Sequence, residues 1–134
     1  MKIQTAVLIG AAAALFGQQV HAHHSFAMFD YQKEVTVDGI VREFQWTNPH
    51  CWIRLIVADS SGKDVEWNIE GQSPNGLVRN GWTRDSIKTG DKAIVVVHPL
   101  KDGSPGGSVV RVSVNGQTLG GLGPSAERPA GAPP

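Results

Sequence analysis

The stretch that decides the fold is Glu34-Val35-Thr36-Val37-Asp38-Gly39-Ile40-Val41-Arg42-Glu43-Phe44-Gln45-Trp46. It alternates as a strand does, but with a fault: Val35 and Val37 share one parity, whereas Ile40, Phe44 and Trp46 share the other. Side chains of a strand change face at every residue, so a single inward face needs one extra residue. The break at Asp38-Gly39 predicts a bulge there and a long, curved first strand. Thr47-Asn48-Pro49 then turns the chain. Residues 50–58 place Cys51, Ile53, Leu55 and Val57 inward and Trp52, Arg54 and Ile56 outward. After the turn at 59–62, residues 63–70 put Val65, Trp67 and Ile69 on one face and Glu66, Asn68 and Glu70 on the other.

Beyond residue 70 the period changes. Ser73-Pro74 reads as an N-cap with proline at the first helical position, and Asn80-Gly81 as the stop of a helix of one or two turns. Residues 82–88 form a second, turn-like stretch. The Ala-Ile-Val-Val-Val run within 92–99 predicts a strand buried on both faces. Residues 101–107 read as a Gly/Pro/Ser loop, and 108–115 as a last strand with Val110, Val112 and Val114 inward. From 116 onward the chain is Gly-, Pro- and Ala-rich, which predicts a disordered tail over 116–134. An all-β, five-stranded OB-like barrel with a short helix between strands 3 and 4 fits this order. The rival SH3-like barrel lacks that helix.

Upstream, Met1-Lys2 supplies a positive start, and the apolar run from Ala6 to Phe16 is too short to span a bilayer, which needs roughly 20 residues. Val20-His21-Ala22 has small residues three and one before a cut, so residues 1–22 read as a signal peptide and the mature chain starts at His23. The expected location is periplasmic or secreted, with no membrane span in the mature form. Residues 23–33 read as an N-terminal arm whose Phe26, Phe29 and Tyr31 pack back on a single domain over 34–115. Twelve basic and twelve acidic residues balance, so nothing resembles the basic stripe that nucleic acid requires. The single cysteine, Cys51, cannot form an internal disulfide. Its parity makes it a buried thiol.

Four of the five histidines follow the cut: His23, His24, His50 and His98. A histidine at a free amino terminus offers amine and imidazole together, and His24 adds a second ring. Both groups titrate near or slightly below neutral to about pH 8, so protons compete little for a metal there. A nitrogen-rich set suits copper or nickel, with zinc compatible. In an OB barrel His98 falls near the start of strand 1, where the arm enters. That makes it the better third ligand, and His50, past the far end of strand 1, the weaker one. The alternative is a metal-independent ligand face: Trp52 faces outward with Arg54, Glu66, Asn68 and Glu70, a surface suited to a saccharide, a peptide or a partner protein.

An enzyme is not expected. Glu66 and Glu70 lie about 13 Å apart along their strand, and no nucleophile elbow, zinc-protease helix, Cys-x-x-Cys or phosphate loop occurs. The strings His23-His24-Ser25-Phe26-Ala27 with Asp30, Phe44-Gln45-Trp46-Thr47-Asn48-Pro49-His50, Trp67 with Glu70, Ser73-Pro74 with Leu77 and Arg79, Gly81-Trp82, Lys88-Thr89-Gly90-Asp91 and Lys101-Asp102-Gly103-Ser104 resemble a family of small exported bacterial proteins. That family is known only as a domain of unknown function. The likeness covers nearly all of residues 23–115; it implies a periplasmic barrel and supplies no activity.

Cleavage after Ala22 fixes one expected outcome. The intact mass of the exported protein should correspond to a chain starting at His23, and a start at Ser25 or later would remove both terminal histidines.

Overall fold

The computed structural model describes residues 27–120. The leader and the residues from His23 to Phe26 lie outside that range, as does the tail from 121. The described chain is β1 (Val35–Gln45), β2 (Trp52–Ala58), β3 (Asp64–Glu70), α1 (Pro74–Arg79), β4 (Lys92–Pro99), β5 (Gly106–Val114) and β6 (Gln117–Gly120). The strands follow the order β3-β2-β1-β4-β5-β6, and a parallel β3–β5 pairing closes the first five into a barrel. This is the expected all-β, five-stranded OB-like architecture, with one short helix between β3 and β4.

β1 holds the barrel together because it serves two neighbours in succession. Residues 35–40 pair with β4 and residues 40–45 with β2. The fault lies four residues later than expected. Val41 pairs with Leu55 and Glu43 with Arg54, leaving Arg42 as the extra residue. Val37 and Val41 therefore share the inward face, Phe44 and Trp46 join it after the bulge, and Ile40 is left outside. Gly39 has a different task. A Cβ there would collide with the carbonyl oxygen of Ile56, so glycine permits the close crossing of β1 over β2.

A second bulge sits in β5. Val97 pairs with Val109 and Val96 with Arg111, so Val110 is the odd residue. Val109, Val112 and Val114 point inward, in place of the expected Val110, Val112 and Val114. β4 buries Ala93, Val95 and Val97 on its inner side and also Val96, but Ile94 is exposed, so burial on both faces holds for only part of the strand. Gly106 and Gly107, expected in a loop, open β5. Residues 117–120, expected within the tail, form β6 instead. Asn115 and Gly116 both have positive φ, at 51° and 75°. That pair makes a tight hairpin turn matched to strand twist, and β6 returns along residues 111–114 of β5.

α1 forms as its sequence signals require. The Ser73 hydroxyl accepts from the Gly76 amide at 3.3 Å, and Pro74 occupies the first turn. Gly81 leaves the helix at φ 82°. Leu77 and Trp82 are thereby brought into the core with Cys51, Ile53, Leu55 and Ile69, where Phe44 and Trp82 meet at 6.0 Å between ring centroids.

Cys51 is 1% exposed, and burial pushes its thiol pKa up. A thiol that is both inaccessible and protonated reacts slowly. Labelling should be slow in the native protein and rapid in denaturant; fast native labelling would contradict this placement.

Candidate functional site

The N-terminal arm runs antiparallel to the end of β4. Asp30 N–H donates to the Pro99 carbonyl at 2.8 Å, Lys101 N–H donates to the Met28 carbonyl at 2.9 Å, and Phe29 bridges Leu100. Phe29 is 3% exposed, the anchor that fixes the arm. Tyr31 then meets His98 edge to face, with centroids 5.1 Å apart, and Phe29 at 6.1 Å. The His98 Nδ1 lies 2.8 Å from the Lys33 carbonyl oxygen. A carbonyl can only accept, so Nδ1 carries the proton, and in the neutral ring Nε2 keeps its lone pair.

Under the arm lies a row of outward-pointing side chains that runs across all five barrel strands. Gln45 of β1 pairs with Trp52 of β2, Trp52 with Glu70 of β3, Glu70 with Ser108 of β5, and Ser108 with His98 of β4. Glu70 is 4% exposed and Ser108 fully buried, which is unusual for residues on the outside of a barrel. The arm accounts for it: the Tyr31 hydroxyl lies beside Ser108, close enough to Glu70 to feel its charge. Neither hydroxyl makes a well-formed hydrogen bond among the described residues. Burial and the Glu70 carboxylate both push the Tyr31 phenol pKa up.

His50 joins this row from the other side. Its Nδ1 lies 3.0 Å from the Gly71 carbonyl oxygen and 3.5 Å from Glu70 Oε1. The carbonyl again assigns the proton to Nδ1. Burial raises the Glu70 pKa, and His50 opposes that rise. His98 does lie beside the start of β1, with Val97 opposite Val35 as expected. What the sequence left out is closure. Through β3–β5 the Glu70 partner of His50 is only two strand spacings, about 10 Å, from His98. Tyr31 packs back on the domain as its place in the arm predicts, but neither its position over this row nor Ser108 stood out in the sequence. The bulge at Val110 reverses Ser108 from the inward parity it would otherwise have.

The remaining candidates separate into two groups. Trp52, Arg54, Glu66 and Asn68 share the outer face of β2 and β3, as their parity requires. The charges there are already matched: Arg54 Nε lies 3.5 Å from Glu43, its Nη1 lies 3.9 Å from Glu66, and Arg42 also pairs with Glu66. Glu70 does not belong to that open face, because His50 and the arm enclose it. His23 and His24 lie outside the described residues. Among the described residues no group of three or more His, Cys, Asp or Glu side chains is placed to hold a metal ion, and no helix is long and apolar enough to cross a membrane.

A small OB-type barrel with a strapped, polar outer row is the class that fold and site define. Residues 12–110 match a family of unknown function, DUF6152, and the chain belongs to that family. No curated protein and no solved structure matches the chain.

Enclosure of Glu70 carries a pH signature. Its folded-state pKa lies above the ordinary 4.5, so the folded state holds the proton more tightly than the unfolded one. Its contribution to stability is then fully present below pH 4.5 and is lost as pH rises through the elevated value. Glu70→Gln should flatten the fall in stability above pH 4.5, measured by urea unfolding across a pH series. An unchanged slope would show that Glu70 is solvated.

Proposed function

We propose that this protein is an exported, non-enzymatic accessory module that binds copper, or a related transition metal, through its processed amino terminus. The observation that carries this reading is the tautomer of His98. The Lys33 carbonyl ties up Nδ1 and leaves Nε2 as the coordinating atom, the arrangement in which a neutral imidazole serves a metal. The carbonyl that does so belongs to the same arm that leads back to His24 and His23. From Met28, the five residues back to His23 can span at most about 18 Å, enough to return to His98.

The terminal amine and ring of His23, the ring of His24 and Nε2 of His98 would make the nitrogen-rich set that favours Cu(II). A set built on His98 has to draw on residues before 27, because the described residues supply no third ligand beside it. His50 has the same tautomer, with Nδ1 held by Gly71 beside Glu70, but it stands across the Glu70–Ser108 row from His98 and the arm. It is the weaker candidate in this reading. The second reading, a metal-independent face for a saccharide, a peptide or a partner protein, rests on Trp52, which is half-buried and outward-facing beside Gln45.

Titration calorimetry with Cu(II) separates the two. Acetylating the His23 amine converts it to an amide and should weaken binding tenfold or more, about 1.4 kcal/mol. His98→Ala should also weaken it, whereas Trp52→Ala should leave it nearly unchanged. Equal affinity in the free and acetylated forms would eliminate the terminal site.

A further inference from the structure

We propose that the outer face of β1 and β4 is a self-association surface that takes a second copy of this chain. Ile40 and Ile94 point outward from neighbouring strands and are 46% and 45% exposed. Isolated exposed isoleucines are ordinary on a protein surface. Here the arrangement is the informative part. Ile40 sits opposite Lys92, and Asp38 sits opposite Ile94. The four side chains therefore form a rectangle with isoleucines on one diagonal and opposite charges on the other. Ile56, paired with Ile40 across β2, extends the apolar diagonal. Open hollows of about 520 and 440 Å³ flank it, one beside Ile40 and Ile56, the other beside Ile94 and Ser113.

Such a rectangle is complementary to itself. Let a two-fold axis run in the interface along the Ile40–Ile94 diagonal. Each isoleucine then meets its own copy, and Asp38 of one chain faces Lys92 of the other. Along-strand and cross-strand spacings of about 6.7 and 4.8 Å place those charges within roughly 3 Å of register, inside the reach of a lysine. The strands of the two copies would cross at roughly 70°, close to the orthogonal mode of sheet packing. Within one chain Asp38 and Lys92 are 3.6 Å apart but 54% and 71% exposed, so an exchanged pairing costs little. The formal net charge is zero for the full chain and one negative once Lys2 leaves with the leader, so long-range repulsion between two like chains is small. An unlike partner would have to supply this alternation of signs independently, whereas a second copy carries it by construction.

The expected product is a weak symmetric dimer, because the face is small against the roughly 1,200 Å² of a stable interface. Sedimentation equilibrium of the processed chain between about 1 µM and 1 mM should show a monomer–dimer equilibrium. Ile40→Glu and Ile94→Glu should each weaken it at least tenfold. Asp38→Lys should do the same by setting lysine against lysine, and the Asp38→Lys/Lys92→Asp double variant should recover association. Ile40→Cys places a thiol on the axis and should yield a disulfide-linked dimer on oxidation, independently of any weakening. A monomer throughout the range, association indifferent to Ile40→Glu, no recovery in the double variant or no cross-linked product would each overturn the proposal.

Discussion

The parallel pairing of β3 with β5 is the contact on which this barrel depends. Asn68, Ile69 and Glu70 lie opposite Gly106, Gly107 and Ser108, and without that short ladder the sheet would remain open between β3 and β5. The two glycines make it possible. A Cβ on Gly106 would lie 2.6 Å from the Asn68 carbonyl oxygen, and one on Gly107 would collide with the carbonyl oxygen of His98. β5 is thus inserted between β3 and β4 at a separation that only bare backbone allows. Glycine weakens a strand by its entropy, but at this position closeness to both neighbours outweighs propensity.

Closure also makes the candidate site. Ser108 is the residue that follows the glycines, and it brings Glu70 to one side and His98 to the other. The outside of a barrel is normally wet, so a carboxylate and a hydroxyl there would face solvent. The arm changes this by laying Tyr31 over the row while Phe29 anchors it. His50 and His98 then flank one enclosed carboxylate, each with its Nδ1 proton fixed by a main-chain carbonyl. Fixing the tautomer in this way leaves the two Nε2 atoms as the nitrogens able to bind a metal or accept a proton.

The bulges explain both the successes and the displacements in reading the strands. Parity placed Cys51, Ile53 and Leu55 in the core, because β2 runs without a fault. In β1 the alternation showed that an extra residue had to exist but not which one. Asp38-Gly39 looked like the weak point, yet Gly39 is occupied by the β1–β2 crossing and the bulge falls at Arg42. In β5 the run of valines masked a second bulge, since Val109 and Val110 are equally suited to the inside.

Local chemistry alone determined the helix, with its Ser73 cap, Pro74 start and Gly81 exit, and the order of strands around it. Those signals act between residues close in the chain, where spacing and side-chain type suffice. The buried thiol and the outward direction of Trp52 followed from the same alternation. Only the tertiary structure decided that Glu70 is enclosed, that His50 and His98 belong to one row, and that Tyr31 closes it. Each depends on strands far apart in sequence meeting at β3–β5, a contact set by the absence of side chains at Gly106 and Gly107, which composition reads as a loop.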